Sequence, residues 1–331
     1  MHYILLLGAG FSRNWGGWLA SEAFEYLLGT PEILRNPHLL SLLWRSQRTG
    51  GFENALAAVQ ADFIRDPEVN KNNLLDIQSA VARMFVDMNR GYFDHTNFEF
   101  QQSRERMVGT FLTRFDAIFT LNQDLLLEHF YIDNNVSLLS NRKWGGSELP
   151  GMRPMPNQAT INPNSWAQRN WSPAAKEEFS LDTRYQPYFK LHGSSNWQES
   201  HGAPMLIMGG NKIREIGLSP VLSWYHMQFE ERLSLPGARL MVIGYGFRDE
   251  HINDVIMRAV NHRGLKMFII DPEGGDLARL VNPTHKAAIR VGTQLEESFE
   301  RSLIGASRRS LREIFGGDSI EHNKVIRFFE A

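Results

Sequence analysis

Cysteine is absent from the 331 residues of the sequence. Its absence excludes disulfide bonds, a thiol nucleophile and every zinc site built on thiolates, and it fits a reducing compartment. Long apolar runs are also lacking, because no stretch approaches the roughly 18 residues that span a membrane. The opening MHYILLLGAG has neither the basic flank nor the cleavage site of a signal peptide. We therefore expect a cytoplasmic protein without membrane contact.

An excess of charge of one sign is lacking as well. The chain has 35 Lys and Arg against 37 Asp and Glu, which gives a formal net charge of −2 at pH 7. Proteins that bind nucleic acid usually show a strongly basic face or stripe. We therefore expect no direct nucleic-acid binding, although this balance leaves room for a local basic patch.

Short apolar runs that end at glycine, asparagine, histidine or aspartate predict buried strands. The runs are YILLL (3–7), DAIFTL (116–121), YFKL (188–191), ARLMVIGYGF (238–247) and LKMFIIDP (265–272). Most of them lead into a helical pattern, such as DLLLEHF and EHINDVIMRAV. This alternation predicts an α/β fold with a doubly wound parallel sheet, in which polar residues collect at the carboxyl ends of the strands.

Two regions interrupt the alternation, and we interpret them as insertions in a single domain of residues 1–331. The region 30–110 looks helical, and the region 133–187 is irregular and rich in Pro, Asn, Gly and Trp. The helical region contains an apolar stripe at spacings of three and four, which we assign to the core: Leu74, Ile77, Val81, Met84, Phe85 and Met88. The tail is mildly basic and amphipathic, and we expect it to close the fold with a helix (RRSLREIF) and a strand (KVIRFFEA); a partner-binding surface is the alternative.

The stretch GAGFSRNWGG follows the first predicted strand. Gly8 and Gly10 permit a tight turn and the close approach of a phosphate to the backbone at a helix start. A dehydrogenase fingerprint would have a third glycine where Arg13 stands, so the motif is weak evidence for hydride transfer. Another kind of phosphate site stays open, as does a plain strand-to-helix turn.

Three polar residues follow the second and third predicted strands. Asn122 and Asp124 lie where a strand gives way to a helix, so both side chains can face one crevice, or either one can cap the helix. His192 precedes Gly193, which permits unusual backbone angles and suits a residue presented into a cleft. A structural, hydrogen-bonded histidine is the alternative.

The last two predicted strands end in similar signals. Gly244 and Gly246 in VIGYGFRDEHIN allow a ligand to approach closely, and Asp249 is a candidate helix cap. Asp271 at the end of FIID is well placed to accept hydrogen bonds from ribose hydroxyls.

In chain order, the stretches GAGFS, LNQD, KLHGSSNW, IGYGFRDEHIN and FIID resemble the motifs of the sirtuin-like family of NAD-consuming Rossmann-type proteins. The similarity is greatest to the bacterial branch that lacks deacylase features, and FENAL at 52–56 also looks like that branch. The motifs extend over residues 5–271. The resemblance implies a Rossmann-like fold that takes NAD⁺ as its substrate and needs no metal.

The resemblance also implies a role for each matching residue. Asn122 would hold the catalytic water or the nicotinamide ribose, Asp124 the nicotinamide carboxamide, and His192 would be the base against a ribose hydroxyl. The remaining positions would bind the diphosphate and the adenosine side of NAD⁺: Gly8, Ala9, Gly10, Phe11, Ser12, Arg13, Gly244, Tyr245, Gly246 and Asp271.

Departures from the sirtuin pattern narrow the activity that the resemblance implies. Sirtuin deacylases continue the glycine loop into G-I-P-D-F-R and carry four zinc-bound cysteines, whereas this loop continues as NWGGWLASEAF and cysteine is absent. Both departures disfavour a protein deacylase or an ADP-ribosyltransferase. What remains implied is an NAD⁺ glycohydrolase that uses water and releases nicotinamide and ADP-ribose.

The resemblance further implies an NAD-depleting effector of bacterial antiphage defence that stays inactive until infection. We expect activation by homo-oligomerisation or by a separate sensor, such as a hexameric ATPase or an Argonaute-type partner. The alternative is a non-catalytic regulatory module that binds NAD or ADP-ribose. Such a module needs the glycine loops and Asp271, but not Asn122 together with His192.

Overall fold

The computed structural model describes residues 1–48, 51–94, 102–137, 143–156, 164–210, 212–282 and 292–330. Within these residues a seven-stranded sheet forms the centre of the protein, and all of its strand pairs are parallel. From one edge to the other the strands are β11 (Leu303–Ser307), β10 (Lys266–Ile270), β9 (Ala238–Ile243), β1 (His2–Leu7), β2 (Ala117–Thr120), β6 (Gln186–Lys190) and β3 (Ser147–Glu148). The predicted doubly wound α/β architecture is confirmed.

The chain changes direction across the sheet beside β1. It runs outward from β1 to β2 and β6, and it then returns to the other side of β1 to form β9, β10 and β11. Leu7 lies level with Thr120 of β2 and with Ile243 of β9, so the carboxyl ends of the three strands stand side by side. Ligands of open α/β sheets bind outside the carboxyl ends at such a switch point.

The central strands are apolar because helices cover both faces of the sheet. Residues 4–7 of β1 and 117–119 of β2 are almost completely buried, as expected for parallel strands that never face solvent. Burial of each large aliphatic side chain contributes about 1.5–3 kcal/mol of transfer free energy. These strands therefore form a rigid base beneath the polar residues at their ends.

Helices fill the chain between β1 and β2. They are α1 (Ala9–Arg13), α2 (Ala20–Leu28), α3 (Pro31–Leu34), α4 (Pro37–Ser46), α5 (Gly51–Arg65), α6 (Pro67–Asp94) and α7 (Gln102–Leu112). Asn36 begins α4 by accepting a hydrogen bond from the Leu39 amide at 3.2 Å, and Pro37 occupies the first turn. The predicted apolar stripe of α6 is confirmed as core, since all its members are buried or packed against buried residues.

Helices also alternate with the later strands. A π-helical turn (Glu128–Ile132) follows β2, and the α-helices are α8 (Lys212–Leu218), α9 (Pro220–Leu233), α10 (Glu250–Arg263), α11 (Leu277–Val281), α12 (Gln294–Ser302), α13 (Leu311–Gly316) and α14 (Ser319–Ile326). Gly264 ends α10 in the left-handed conformation with φ of 68°, which is the usual glycine C-cap. None of the described helices is both long and apolar enough to cross a membrane.

A second, smaller sheet lies beside the main one. In the described residues it consists of β4 (Met152–Pro154), β5 (Trp171–Pro173), β7 (Gly193–Gln198) and β8 (Pro204–Leu206). Two of these strands fall inside the irregular region 133–187, and the other two follow His192. The stretch GSSNWQ is therefore a strand, and its Trp197 is 1% exposed.

Two parts of the carboxyl-terminal region differ from the sequence prediction. The edge strand β11 was not predicted, because LIGAS is short, contains glycine and is only partly buried. The expected strand at KVIRFFEA is wrong, since this stretch forms the end of α14 and a 3₁₀ turn (Arg327–Phe329). Phe328 and Phe329 pack against Tyr3 and Phe115, which fixes the tail beside the start of β1.

Candidate functional site

Two glycine loops meet at the switch point of the sheet. The Gly10 amide donates to the Gly244 carbonyl at 2.9 Å, and the Gly8 amide donates to the Ile243 carbonyl at 3.0 Å. A Cβ on Gly8 would lie 2.6 Å from the Gly244 carbonyl oxygen, and a Cβ on Gly10 would lie 2.7 Å from the Gly244 Cα. Gly8, Gly10 and Gly244 are therefore required first of all for the contact between the two loops.

The residues after this turn take different positions on the short helix α1. Phe11 is 1% exposed and packs against Trp15, so its side chain belongs to the core. Ala9 is exposed at the start of the helix. Arg13 is exposed too and forms an ion pair with Glu22 at 3.0 Å, so this cation is already paired within the protein.

Ser12, Asn122 and Asp124 form one hydrogen-bonded set beside the glycine turn. The Ser12 hydroxyl donates to Asp124 Oδ2 at 2.8 Å, and Asn122 Nδ2 donates to Ser12 Oγ at 2.9 Å. Asn122 Nδ2 also donates to the Gly8 carbonyl at 3.0 Å. The other Asp124 oxygen accepts from the Leu126 amide at 3.0 Å, which caps the following turn. Asn122 and Asp124, whose side chains the sequence predicts to face one crevice, are therefore linked through Ser12.

A buried ion pair supports this set from below. Lys190 Nζ has no exposed surface, donates to the Asp124 carbonyl at 2.6 Å and pairs with Glu128 at 2.8 Å. Burial raises the pKa of the Asp124 carboxyl, and the nearby Lys190 charge and the Ser12 hydrogen bond act in the opposite direction. Sequence reasoning missed Lys190, because a lysine inside an apolar strand gives no sign of its partner.

Helix α6 reaches the same place through two residues that sequence reasoning also missed. Asn89 accepts from the Leu125 amide at 2.9 Å and donates to the Ser195 hydroxyl at 3.0 Å, so it joins the segment after β2 to strand β7. Tyr92 is buried close to Ser12, and burial together with the Asp124 charge raises the pKa of its phenol. The helical region thus forms one wall of the site.

His192 follows β6 on the neighbouring strand end and is 4% exposed. Its backbone carbonyl accepts from Gln123 Nε2 at 2.8 Å, which ties it to the loop that carries Asn122. Gly193 has φ of +75°, and a side chain there would overlap the Met205 carbonyl. The turn therefore holds His192 in a fixed position at the edge of the two sheets.

The surroundings of His192 are polar. Its Nε2 lies 3.0 Å from Nε2 of His251, and the ring of His226 stacks at 6.4 Å. Burial lowers the pKa of His192 well below its usual value, and the charges of Lys212, His226 and His251 act in the same direction. His226 donates to the Leu191 carbonyl at 3.0 Å, and burial lowers its pKa to about 4. Both imidazoles are therefore neutral at neutral pH.

An ion-paired lysine closes this histidine cluster. Lys212 Nζ lies 2.7 Å from Glu53 and 2.6 Å from Asp249, so one cation joins helices α5, α8 and the start of α10. The ligand atoms of His192, Asp249 and His251 all lie within 4.8 Å of one another. A metal ion at that place would compete with Lys212 for the Asp249 carboxylate, and no metal site is established there.

The remaining predicted residues lie along β9 and β10. Tyr245 is buried, and its hydroxyl donates to Asn253 Oδ1 at 2.9 Å, so it stabilises the turn into α10. Gly246 has open space around its Cα, since a Cβ there would meet only Arg248 at 3.9 Å. Asp271 is half-buried at the end of β10 and accepts from the Glu273 amide at 2.9 Å, and burial raises its pKa.

The structure thus brings the predicted residues together to different degrees. Gly8, Ser12, Asn122 and Asp124 are in direct contact, and His192 is joined to them through Gln123. Asp271 lies two strands away from β1, on the other side of the switch point.

Comparison with known families agrees with this geometry. The model of the SIR2-like domain matches residues 116–291, which is more than half of the chain. The chain belongs to the SIR2-like domain family. SIR2-like domains bind NAD⁺, and the family includes NAD-dependent enzymes. Among the curated proteins, none matches this sequence.

The match covers Asn122, Asp124, His192, Gly244 and Asp271, but it begins after the first glycine turn. In this SIR2-like protein, β1 and the turn with Gly8 nevertheless lie between the matched strands β2 and β9. The first glycine turn therefore stands beside the carboxyl ends of strands that the family model matches.

Proposed function

We propose that the protein is an NAD⁺ glycohydrolase that cleaves NAD⁺ to nicotinamide and ADP-ribose. The observation that carries the proposal is the hydrogen-bonded set of Ser12, Asn122 and Asp124 at the end of β2, with His192 at the end of the adjacent strand β6. A site that only held a dinucleotide would need the glycine loops, but it would not need these groups side by side.

NAD⁺ would lie across the switch point of the sheet. The diphosphate would face the turn formed by Gly8 and Gly10 together with the open surface of Gly246. Asp271 would accept hydrogen bonds from the adenosine ribose. The nicotinamide end would then lie towards Asn122, Asp124 and His192.

The reaction breaks the bond between C1′ of the ribose and the nicotinamide nitrogen. The bonding electron pair leaves with nicotinamide, which becomes neutral, and the oxygen of water adds to the oxocarbenium-like C1′. The proton lost by that water passes to solvent, and His192, which is neutral, would act as the base against a ribose hydroxyl. Asn122 would orient the water, and Asp124 would bind the carboxamide.

Water is the acceptor that the sequence favours. A deacylase of the sirtuin type needs a groove for acyl-lysine next to a zinc module with four cysteines, and this chain has no cysteine. Hydrolysis requires only that NAD⁺ is held and that water reaches C1′.

A second candidate is a regulatory module that binds NAD or ADP-ribose without chemistry. Two observations favour this candidate, because they leave the proposed catalytic groups little freedom to contact a substrate. Asn122 Nδ2 already donates two hydrogen bonds within the protein, and His192 is almost completely buried. As an enzyme, the protein would need to exchange some of these internal hydrogen bonds for substrate. This requirement agrees with an effector that is inactive until it is triggered.

Nicotinamide release from NAD⁺ by the purified protein tests the proposal. We expect release by the wild-type chain, and its loss in Asn122→Ala and His192→Ala, with folding largely retained. Asn261→Ala is a suitable control, because Asn261 is exposed on α10 and its side chain accepts a hydrogen bond from Arg301, away from the candidate site. Undiminished release by Asn122→Ala would contradict the assignment, and binding of NAD⁺ without any release would favour the regulatory module.

We further propose that the activity serves bacterial antiphage defence, as the sirtuin-like resemblance implies. Homo-oligomerisation, or a sensor such as a hexameric ATPase or an Argonaute-type partner, would then start the reaction. The same assay should be repeated with the product of the neighbouring gene, and an increase in nicotinamide release is expected.

A further inference from the structure

We propose that His251 is a positioning residue that fixes the tautomer of His192. The imidazole of His251 would accept the Nε2 proton of His192, so that His192 presents an unprotonated Nδ1 to the substrate. The catalytic part of this inference rests on the proposed function, whereas the tautomer is a property of the protein itself.

The distance between the two rings requires a shared proton. The two Nε2 atoms lie 3.0 Å apart, which is hydrogen-bonding distance, and both rings are neutral at neutral pH because burial lowers their pKa values. A neutral imidazole carries one N–H, so one ring must donate through Nε2 and the other must accept. Two orientations of this hydrogen bond are therefore possible.

Only one orientation leaves His192 able to act as a base. If His251 donated, the lone pair on Nε2 of His192 would be used and Nδ1 would carry its proton, so the ring would have no free basic nitrogen. If His192 donates, its Nδ1 keeps a lone pair. After Nδ1 takes a proton, the resulting imidazolium donates a stronger hydrogen bond to His251. The second nitrogen of a catalytic histidine is commonly fixed in this way by its hydrogen-bond partner.

Charged groups surround the pair. Asp249 and Asp254 raise the pKa of His251, whereas burial and the Lys212 charge lower it, and the lowering is the larger effect. Burial and the charge of Lys212, which approaches from α8, lower the pKa of His192, so this ring is neutral at rest. Lys212 is itself held by Glu53 and Asp249, so its position is fixed.

A second histidine suits this position better than a carboxylate. A carboxylate at 3.0 Å would raise the pKa of His192. A neutral acceptor orients the ring without adding a negative charge. The pair therefore keeps His192 neutral and still sets the direction of its free nitrogen.

The first experiment measures the tautomer directly, independently of any activity. The full chain, labelled with ¹⁵N-histidine, is examined by NMR in the wild type, in His251→Phe and in His251→Gln. We expect His192 to carry its proton on Nε2 in the wild type and in His251→Gln, whose amide oxygen can accept the bond. In His251→Phe, which keeps a ring of similar size but has no acceptor, this preference should be lost.

The second experiment measures nicotinamide release by the same proteins. His251→Phe should lower kcat by at least ~10-fold, within the ~10²–10⁴-fold that general base catalysis supplies. Its KM for NAD⁺ should stay close to that of the wild type, and His251→Gln should restore part of kcat. His129→Gln is the control, because His129 is also partly buried with a lowered pKa but packs against Phe93 outside this cluster.

The two experiments fail in different ways. A wild-type protein that releases no nicotinamide under any condition would refute the proposed function, and the NMR result would still decide the tautomer. A proton on Nδ1 of wild-type His192, or an unchanged tautomer and kcat in His251→Phe, would overturn the role of His251. Stoichiometric Zn²⁺ on the purified protein, lost on substitution of either histidine, would overturn it as well.

Discussion

At the scale of single residues, the candidate site depends on a charged side chain that has no contact with solvent. Lys190 is fully buried and supports the turn that carries Asn122 and Asp124, since it binds the Asp124 carbonyl and the Glu128 carboxylate. Taking both charges out of water is costly, so the pair is retained for the position that it gives to this turn rather than for stability.

Replacing one member of the pair should therefore destabilise the protein strongly. Lys190→Met leaves the Glu128 carboxylate buried without its partner, and we expect the free energy of unfolding to fall by about 3–5 kcal/mol. The double substitution Lys190→Met with Glu128→Leu removes both charges and should recover most of this loss. Urea denaturation of the three proteins measures both values. A double variant as unstable as the single one would show that the ion pair is not the cause.

The sequence predicts some functional residues and not others, for a physical reason. Asn122, Asp124 and His192 follow apolar strands directly, so their places at the carboxyl edge could be inferred. Lys190 lies within a strand, and its partner Glu128 is 62 residues away in the chain. His251 is part of the quoted stretch RDEHIN, but its contact with His192 forms only because the chain crosses from β6 to β9, on the other side of β1. The local sequence does not predict this crossing.

At the scale of elements, the loops after β1 and β9 constrain each other. Gly244 has φ of +64°, and a side chain there would overlap the backbone of Gly10 and Phe11. Gly246, two residues later, has an ordinary backbone conformation and open space around it. The two glycines of one motif therefore have different physical functions.

Alanine substitutions should separate these functions. Gly244→Ala should destabilise the protein by about 2–4 kcal/mol, because it adds backbone strain to a steric overlap between two loops. Gly246→Ala should change the free energy of unfolding by less than about 0.5 kcal/mol. Weaker binding of ADP-ribose to Gly246→Ala, measured by calorimetry, would agree with a phosphate at that surface. Equal stability of the two variants would contradict the close contact between the loops.

The prediction of elements succeeds where the hydrophobic pattern is simple. The five central strands are predicted because they are buried on both faces and read as continuous apolar runs. The edge strand β11 has a glycine and partly exposed residues, so it lacks this signal. The stretch after His192 has the composition of a turn. Residues 193–198 nevertheless form β7, because the side chain of Trp197 is buried in the core.

At the scale of the whole molecule, the buried histidines connect stability to pH. His226 has a pKa of about 4 in the folded protein, against 6.5 for an unperturbed histidine. The unfolded chain therefore binds more protons between these values, and the contribution of His226 to stability is complete above pH 6.5 and is lost as the pH falls towards 4.

Replacing the His226 imidazole should make the free energy of unfolding depend less on pH. His226→Gln can still donate to the Leu191 carbonyl, but it does not titrate. Between pH 7 and pH 5 the wild type should lose about 2 kcal/mol more of its free energy of unfolding than the variant, at about 1.4 kcal/mol for each pKa unit. Urea denaturation at both pH values gives the comparison. An equal loss in the two proteins would show that another group controls this range.

The position of β1 has a consequence for how the family match should be understood. The matched segment starts at residue 116, yet the strand that hydrogen-bonds to both β2 and β9 comes from residues 2–7. Excised alone, the segment would consist of two separate strand groups, each with a bare edge ready to pair with other chains and aggregate. The segment that the family model matches therefore lacks a strand that its own sheet requires.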